Sequence, residues 1–299
     1  MQFNRIFRLI AGEEGGEGVK IESDGKEDSL RIEFEIDKDL TQQTNKSSIK
    51  IYNLTDDSCE KIEVSDMVCE LQVGYAEDIG LRRIFLGNIT YSTTRRDGPD
   101  KVTELELADG QESLRDTVVS LGYSAGVSAK AVLNDVAAQM SVTTQIAPDI
   151  EFASYPAGFA FVGKGRDCLS RILDASGARW SIQNGTLQVI MAGSSTNVQA
   201  LAFSASSGLI GSPERIVKGV KRPDEEAKKK RKVKKDKKAK QAGWKIKTLL
   251  APTVNPGDLV KVESVTVIGW FRVESLKHKG DTHGREWYSE MELIELVSA

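Results

Sequence analysis

Alternation of apolar and charged positions dominates the first third of the chain. Leu30, Ile32, Phe34 and Ile36 alternate with Arg31, Glu33 and Glu35, the period of two that a half-buried β-strand requires. Ile49 and Ile51 repeat the pattern before a turn-like stretch from Tyr52 to Asp57. Leu71, Val73 and Tyr75 predict a third strand, Ile84 to Leu86 with Ile89 and Tyr91 a fourth, and Thr103, Leu105 and Leu107 a fifth. Asp97-Gly98-Pro99-Asp100 between the last two is turn chemistry, so they read as a hairpin. The Gly- and Glu-rich segment from Gly12 to Gly25 reads as a loop.

The middle of the chain changes period. Val132, Val136 and Met140 recur at helical spacing, with Ser128 placed to cap the N-terminus. A second helix carries Cys168, Leu169, Ile172 and Leu173 and stops at Gly177, a residue type that suits the left-handed C′ position. Asn184-Gly185 between Trp180, Ile182 and Leu187, Val189 is a strong hairpin signal. A Ser-, Gly- and Ala-rich linker follows, from Ala192 to Gly211. Further short apolar stretches resume β-structure: Ile216 to Val220, Trp244 to Leu250, Leu259 to Val262, Gly269 to Val273 and Trp287 to Leu293. The expected fold class is α+β and mainly antiparallel.

Charge changes this picture at one place. The net charge is −3 over 299 residues, but 14 Lys and Arg against 4 Asp and Glu fall between Lys221 and Leu250, leaving 27 against 40 elsewhere. An acidic body therefore carries a basic appendage: Lys228, Lys229, Lys230, Arg231, Lys232, Lys234, Lys235, Lys237, Lys238 and Lys240. The run has almost nothing apolar to bury and interrupts neighbouring strands, as an insertion at a hairpin tip does. It reads first as a solvated insertion, and second as a contact for an acidic partner or nucleic acid. It lacks interleaved aromatics for base stacking, so phosphate contact would be sequence-independent and salt-sensitive.

Candidate chemistry is sparse. Cys59, Cys69 and Cys168 are an odd number without a CxxC pair, which encodes neither a disulfide framework nor a zinc site and suits a reducing compartment. The N-terminus has no sustained apolar core of a secretory signal, and no stretch approaches the ~18 apolar residues of a membrane span. Gly158 to Gly165 matches a phosphate-binding loop until Gly165 stands where Ser or Thr must hold magnesium. The two histidines, His278 and His283, flank Asp281 in a string that reads as a solvated Gly-Asp turn; a metal there, or a meeting of histidines across a trimer axis, is the sharper alternative. No G-x-S-x-G elbow occurs, and Glu33/Glu35 and Glu104/Glu106 alternate as solvent faces of strands. No catalytic, cofactor-binding or metal-binding residue is assigned.

The order of these features resembles the baseplate hub proteins of tailed phages, the late control protein D or tail hub family related to the hubs of contractile injection systems. Tyr52-Asn53-Leu54 ends a strand, Gly74-Tyr75 follows, then Phe85-Leu86-Gly87-Asn88-Ile89, then the Asp97-Gly98-Pro99-Asp100 hairpin running to Thr103. Gly177 to Gly185 resembles the middle of the family, and Leu249 to Pro252, Asn255 to Val260, Gly280-Asp281 and Trp287-Tyr288 its end. The Lys-rich insertion departs from the family pattern.

The resemblance implies a structural virion protein with two tail-tube-like β-barrel domains, residues 1–115 and 196–299, around a helix-containing α+β module, residues 116–195, the second barrel interrupted by an insertion at 221–243. It implies a homotrimer that joins a sixfold tail tube to a threefold spike, made in the host cytoplasm and carried in the baseplate. Implied partners are the spike, tail tube or tube-initiator proteins, the tape-measure protein and the genomic DNA passing through the channel. Rival readings are a nucleic-acid-binding structural protein using the insertion, a hub-associated cell-wall hydrolase, and a type VI secretion spike relative, which would need a C-terminal β-helix repeat.

Overall fold

A computed structural model describes residues 4–13, 18–23, 29–40, 45–62, 67–109, 117–174, 176–191, 194–196, 201–218 and 241–295. The described residues are mainly antiparallel β-structure with three short helices, the expected α+β class. The Lys-rich run from Lys228 to Lys240 lies outside them.

The N-terminal strands are β1 (Arg5–Gly12), β2 (Gly18–Ser23), β3 (Ile32–Asp39), β4 (Lys46–Tyr52), β5 (Val68–Tyr75), β6 (Gly80–Asp97) and β7 (Asp100–Ala108), with helix α1 (Asp56–Ile62) between β4 and β5. Two readings change here. The stretch read as a loop contains β2, which pairs antiparallel with β1 and buries Val19 and Ile21. Its alternation spans too few residues, among too many glycines, to stand out. The turn-like stretch after Tyr52 leads into α1, whose Ile62 and Cys59 seal the core under the sheet. The β6–β7 hairpin forms as read, with Gly98 in the left-handed region (φ 60°).

The middle of the chain holds β8 (Val118–Tyr123), β9 (Val127–Ser128), α2 (Ala129–Gln139), β10 (Thr143–Ile146), β11 (Ser154–Tyr155), β12 (Phe159–Lys164), α3 (Gly165–Asp174), β13 (Ala178–Gln183) and β14 (Thr186–Met191). Ser128 Oγ accepts the Ala131 amide hydrogen at 3.1 Å, the expected cap. Asn184 and Gly185 both have positive φ (51° and 76°), as a two-residue hairpin turn between β13 and β14 demands. Val132, Val136, Leu169 and Ile172 pack onto Trp180, Leu187 and Val189 in a separate buried cluster. The near-match to a phosphate loop is strand β12 running into α3, with Phe159 buried.

The remaining strands are β15 (Ala202–Ser204), β16 (Leu209–Lys218), β17 (Gln241–Leu249), β18 (Leu259–Glu263), β19 (Ile268–Asp281) and β20 (Trp287–Glu295). β16 and β17 pair antiparallel with Lys218 opposite Gln241, and the Lys-rich run falls between them in the sequence. Phe203, Ile246, Val260, Phe271, Met291 and Leu293 form a third buried cluster.

The two β-rich ends of the chain share one ladder, in the order β16-β17-β20-β19-β3-β4-β7-β6-β5-β1-β2. The junction is β19 against β3, where Leu276 opposes Lys38 and Gly280 opposes Phe34. Gly280 is required there: a Cβ would lie 2.2 Å from the Phe34 ring. The ladder sets the polar sides of strands more than two hundred residues apart on one face.

Candidate functional site

The candidate site is a face of this sheet. Along β3 the burial alternates strictly, Ile32, Phe34 and Ile36 inward and Glu33, Glu35 and Asp37 outward. The same parity holds on β4, where Ser48 and Lys50 share the outward side, and on β20, where Tyr288 and Glu290 do. Because register is fixed by pairing, the outward residues fall into rows.

Charge alternates from strand to strand along one of those rows. Lys247 of β17 faces Glu290 of β20, which faces Lys277 of β19, which faces Asp37 of β3. In another row two carboxylates, Asp281 and Glu33, face each other and share Arg31, and Lys50 of β4 and Glu104 of β7 follow. Ion pairs follow: Lys277 to Asp37 at 3.2 Å and to Glu35, Lys279 to Glu35 at 2.8 Å, Lys245 to Glu290 at 3.4 Å and Arg95 to Glu104 at 2.8 Å. Lys247 Nζ also lies 3.4 Å from the centre of the Tyr288 ring. Hydrogen bonds from Lys277 and Lys279 hold the Glu35 carboxyl below its ordinary range. Burial pushes the neighbouring Asp37 up despite Lys277.

A groove of about 620 Å³ lies on this face, lined by Glu35, Asp37, Lys46, Ser48, Glu104 and Glu106. A smaller one of about 280 Å³ is lined by Asp37, Lys277, Lys245 and Glu290. The surface presents paired charges of both signs.

The histidine reading is corrected. β19 continues through His278, so the residue is in a strand and fully buried, not at a solvated tip. Its Nδ1 lies 2.8 Å from Ser289 Oγ, and burial drives its pKa down to about 3. Three positions on, Asp281 points to the opposite face, where Arg31 holds both its oxygens. His283 is in the following turn, 3.1 Å from Thr282 Oγ1. Opposite parity separates His278 from Asp281, and a histidine with no exposed surface cannot meet a copy across an axis. Among the described residues no cluster of His, Cys, Asp and Glu can hold a metal.

No protein-family model matches the sequence, and comparison with curated proteins finds no significant match. Solved structures do match. A tail protein from Neisseria meningitidis superposes with TM-score 0.62 over 97% of this chain and 96% of its own, at 12% identity. The 43 kDa tail protein of prophage MuSo2 from Shewanella oneidensis gives 0.60 over 97% and 98%, at 11% identity. The chain has the fold of phage tail proteins. An E. coli type VI secretion component, itself similar to T4 tail proteins gp27 and gp5, matches at TM-score 0.56 and 10% identity over 92% of this chain and 76% of its own.

Sequence reasoning identified Glu33/Glu35 and Glu104/Glu106 as exposed sides of strands but missed the lysines that answer them. The signal was present as Lys277 and Lys279 in the same period of two; only the pairing of β19 with β3 gives it meaning.

Proposed function

We propose that this chain is a structural protein of a phage-type tail, the baseplate hub that joins a sixfold tail tube to a threefold spike. The supporting observation is the end-to-end likeness to two tail proteins, 97% of this chain against 96% and 98% of theirs. In this reading three copies form a ring, the spike and tube proteins dock at its two ends, and the tape-measure protein and DNA pass through it. The polar face across β17, β20, β19, β3, β4 and β7 lines the passage. Its alternating charges compensate each other locally, so a polyanion moving along it meets little net attraction. Mass spectrometry and immunogold labelling of purified particles test the assignment: the chain at the tail tip in about three copies supports it, and absence from particles refutes it.

The composition of the Lys-rich run, which falls between β16 and β17 in the sequence, supports a second role. Ten cationic residues from Lys228 to Lys240 interrupt an otherwise acidic sequence, which suits contact with an acidic baseplate neighbour or with DNA. Deleting residues 227–241 tests this; assembly and infectivity both unchanged would leave the run without a contact role.

A further inference from the structure

Lys38 is the only buried lysine among the described residues, 3% exposed. It occupies an inward position of β3 where the alternation calls for an apolar side chain. Its Nζ donates to Asn255 Oδ1 at 3.0 Å, one bond for a group with three hydrogens. The other titratable groups that act on it are Asp109 and Asp258, and it in turn acts on His278.

These groups stand where the three buried clusters meet. Asp109 follows β7 and accepts the Asn184 amide hydrogen of the β13–β14 turn at 2.8 Å through Oδ2. Asp258, in the turn before β18, accepts from Thr196 Oγ1 and the Asn255 amide, both at 2.9 Å. Asn45 reaches Gln183 of the middle module at 3.3 Å. Around this seam Asp109 Oδ1, Asn184 Oδ1, Gln188 Oε1 and Ser181 Oγ are buried without a hydrogen-bond partner, as is His278 Nε2. Buried polar atoms are normally paired, and a seam with several unpaired ones is less favourable closed than its apolar contacts alone would make it.

The geometry points to a poised hinge: the Lys38–Asp109–Asp258 seam holds the middle module against the long sheet in an under-bonded closed arrangement that opens as a unit. Opening returns the ammonium and carboxylates to water. The direction of every shift agrees: burial lowers Lys38 to about 8, raises Asp109 to about 6 and raises Asp258. Each favours the neutral form, so desolvation outweighs mutual attraction. By linkage Lys38 disfavours the closed seam below about pH 8, where it is charged in both arrangements, and the seam gains as Lys38 loses its proton from 8 toward 10.5. On the acid side the gain as Asp109 takes up a proton from 6 toward 3.8 is opposed by His278, which takes one up on opening from about 6.5. The hinge belongs to the chain itself and does not depend on the hub reading.

Hydrogen exchange on the full chain, corrected for the intrinsic pH dependence of exchange, tests it. At pH 7.5 the amides of Asn184, Thr196 and Gly257 should exchange together and well ahead of Ile49 and Ile51 in β4. The double substitution Lys38→Met with Asp109→Asn keeps the acceptor for Asn184 and removes both buried charges. It should lower the seam's opening equilibrium about tenfold, and seam amides that exchange as fast as in the wild type, or faster, would overturn the hinge. Should that variant not fold, the wild type decides alone: seam opening at pH 7.5 must exceed that at pH 9.5, and equal opening at the two contradicts the proposal.

Discussion

Arg31 and Asp281, 250 positions apart, form a two-point ion pair, Nε to Oδ1 at 3.1 Å and Nη2 to Oδ2 at 2.8 Å. The pair closes the end of the β3–β19 junction and so ties the two ends of the chain together. Burial alone would raise the Asp281 carboxyl; Arg31 and the His283 and Gly284 amides outweigh it and hold the pKa below the ordinary value.

Asp281→Asn should therefore cost about 1–2 kcal/mol at pH 7, the range of a hydrogen bond to a charged group reduced for the partly exposed arginine. The depressed carboxyl contributes stability above its unfolded pKa of about 3.8 and loses it as pH falls through the lower folded value. Urea unfolding between pH 7 and 2 checks this; the variant should show a shallower acid limb than the wild type.

His278 makes a larger acid contribution. Burial lowers its folded pKa from 6.5 to about 3, so the unfolded chain binds the proton first as pH falls. Stability attributable to the neutral ring is complete above about 6.5 and declines from there toward 3. NMR should find no protonation of His278 in the folded protein at pH 5. His278→Leu should flatten stability over that window at the expense of the bond to Ser289.

Lys277→Glu should lower stability by about 1 kcal/mol or more, because it places a third carboxylate beside Glu35 and Asp37 and opposite Glu290. Thermal unfolding at low and at 0.5 M salt measures it. Salt should recover part of the loss, and an equal loss at both would place its origin in packing.

Leu169→Ala in α3 should cost about 2–5 kcal/mol as a cavity in a fully buried cluster, while Ser128→Ala should cost about 1 kcal/mol through the lost cap of α2. The ranking of the two in denaturant unfolding is the check.

Much of the fold was readable from local pattern. Glu33, Glu35 and their apolar neighbours fixed β3 by period alone, Ser128 and Val132 placed α2, and Asn184-Gly185 placed a turn that both residues' positive φ confirms. β1, with Phe7, Leu9 and Ala11 buried, and β2 were less legible because their alternation is short and flanked by glycine and glutamate. The site was only half legible. Parity within β19 already separates His278 from Asp281, yet that β19 reaches back to pair with β3 is a property of the assembled sheet. Lys38 shows the same limit: a lysine after Phe34 and Ile36 reads as the end of a strand, and only the meeting of three clusters makes it a buried ion.

The measurement closest to the central claim is the mass of the purified protein in solution by light scattering, alone and with the candidate spike. A hub predicts a species of about three times the 32.8 kDa chain, or a three-to-three complex once the spike is added. A chain that remains a monomer in both conditions would contradict the hub assignment.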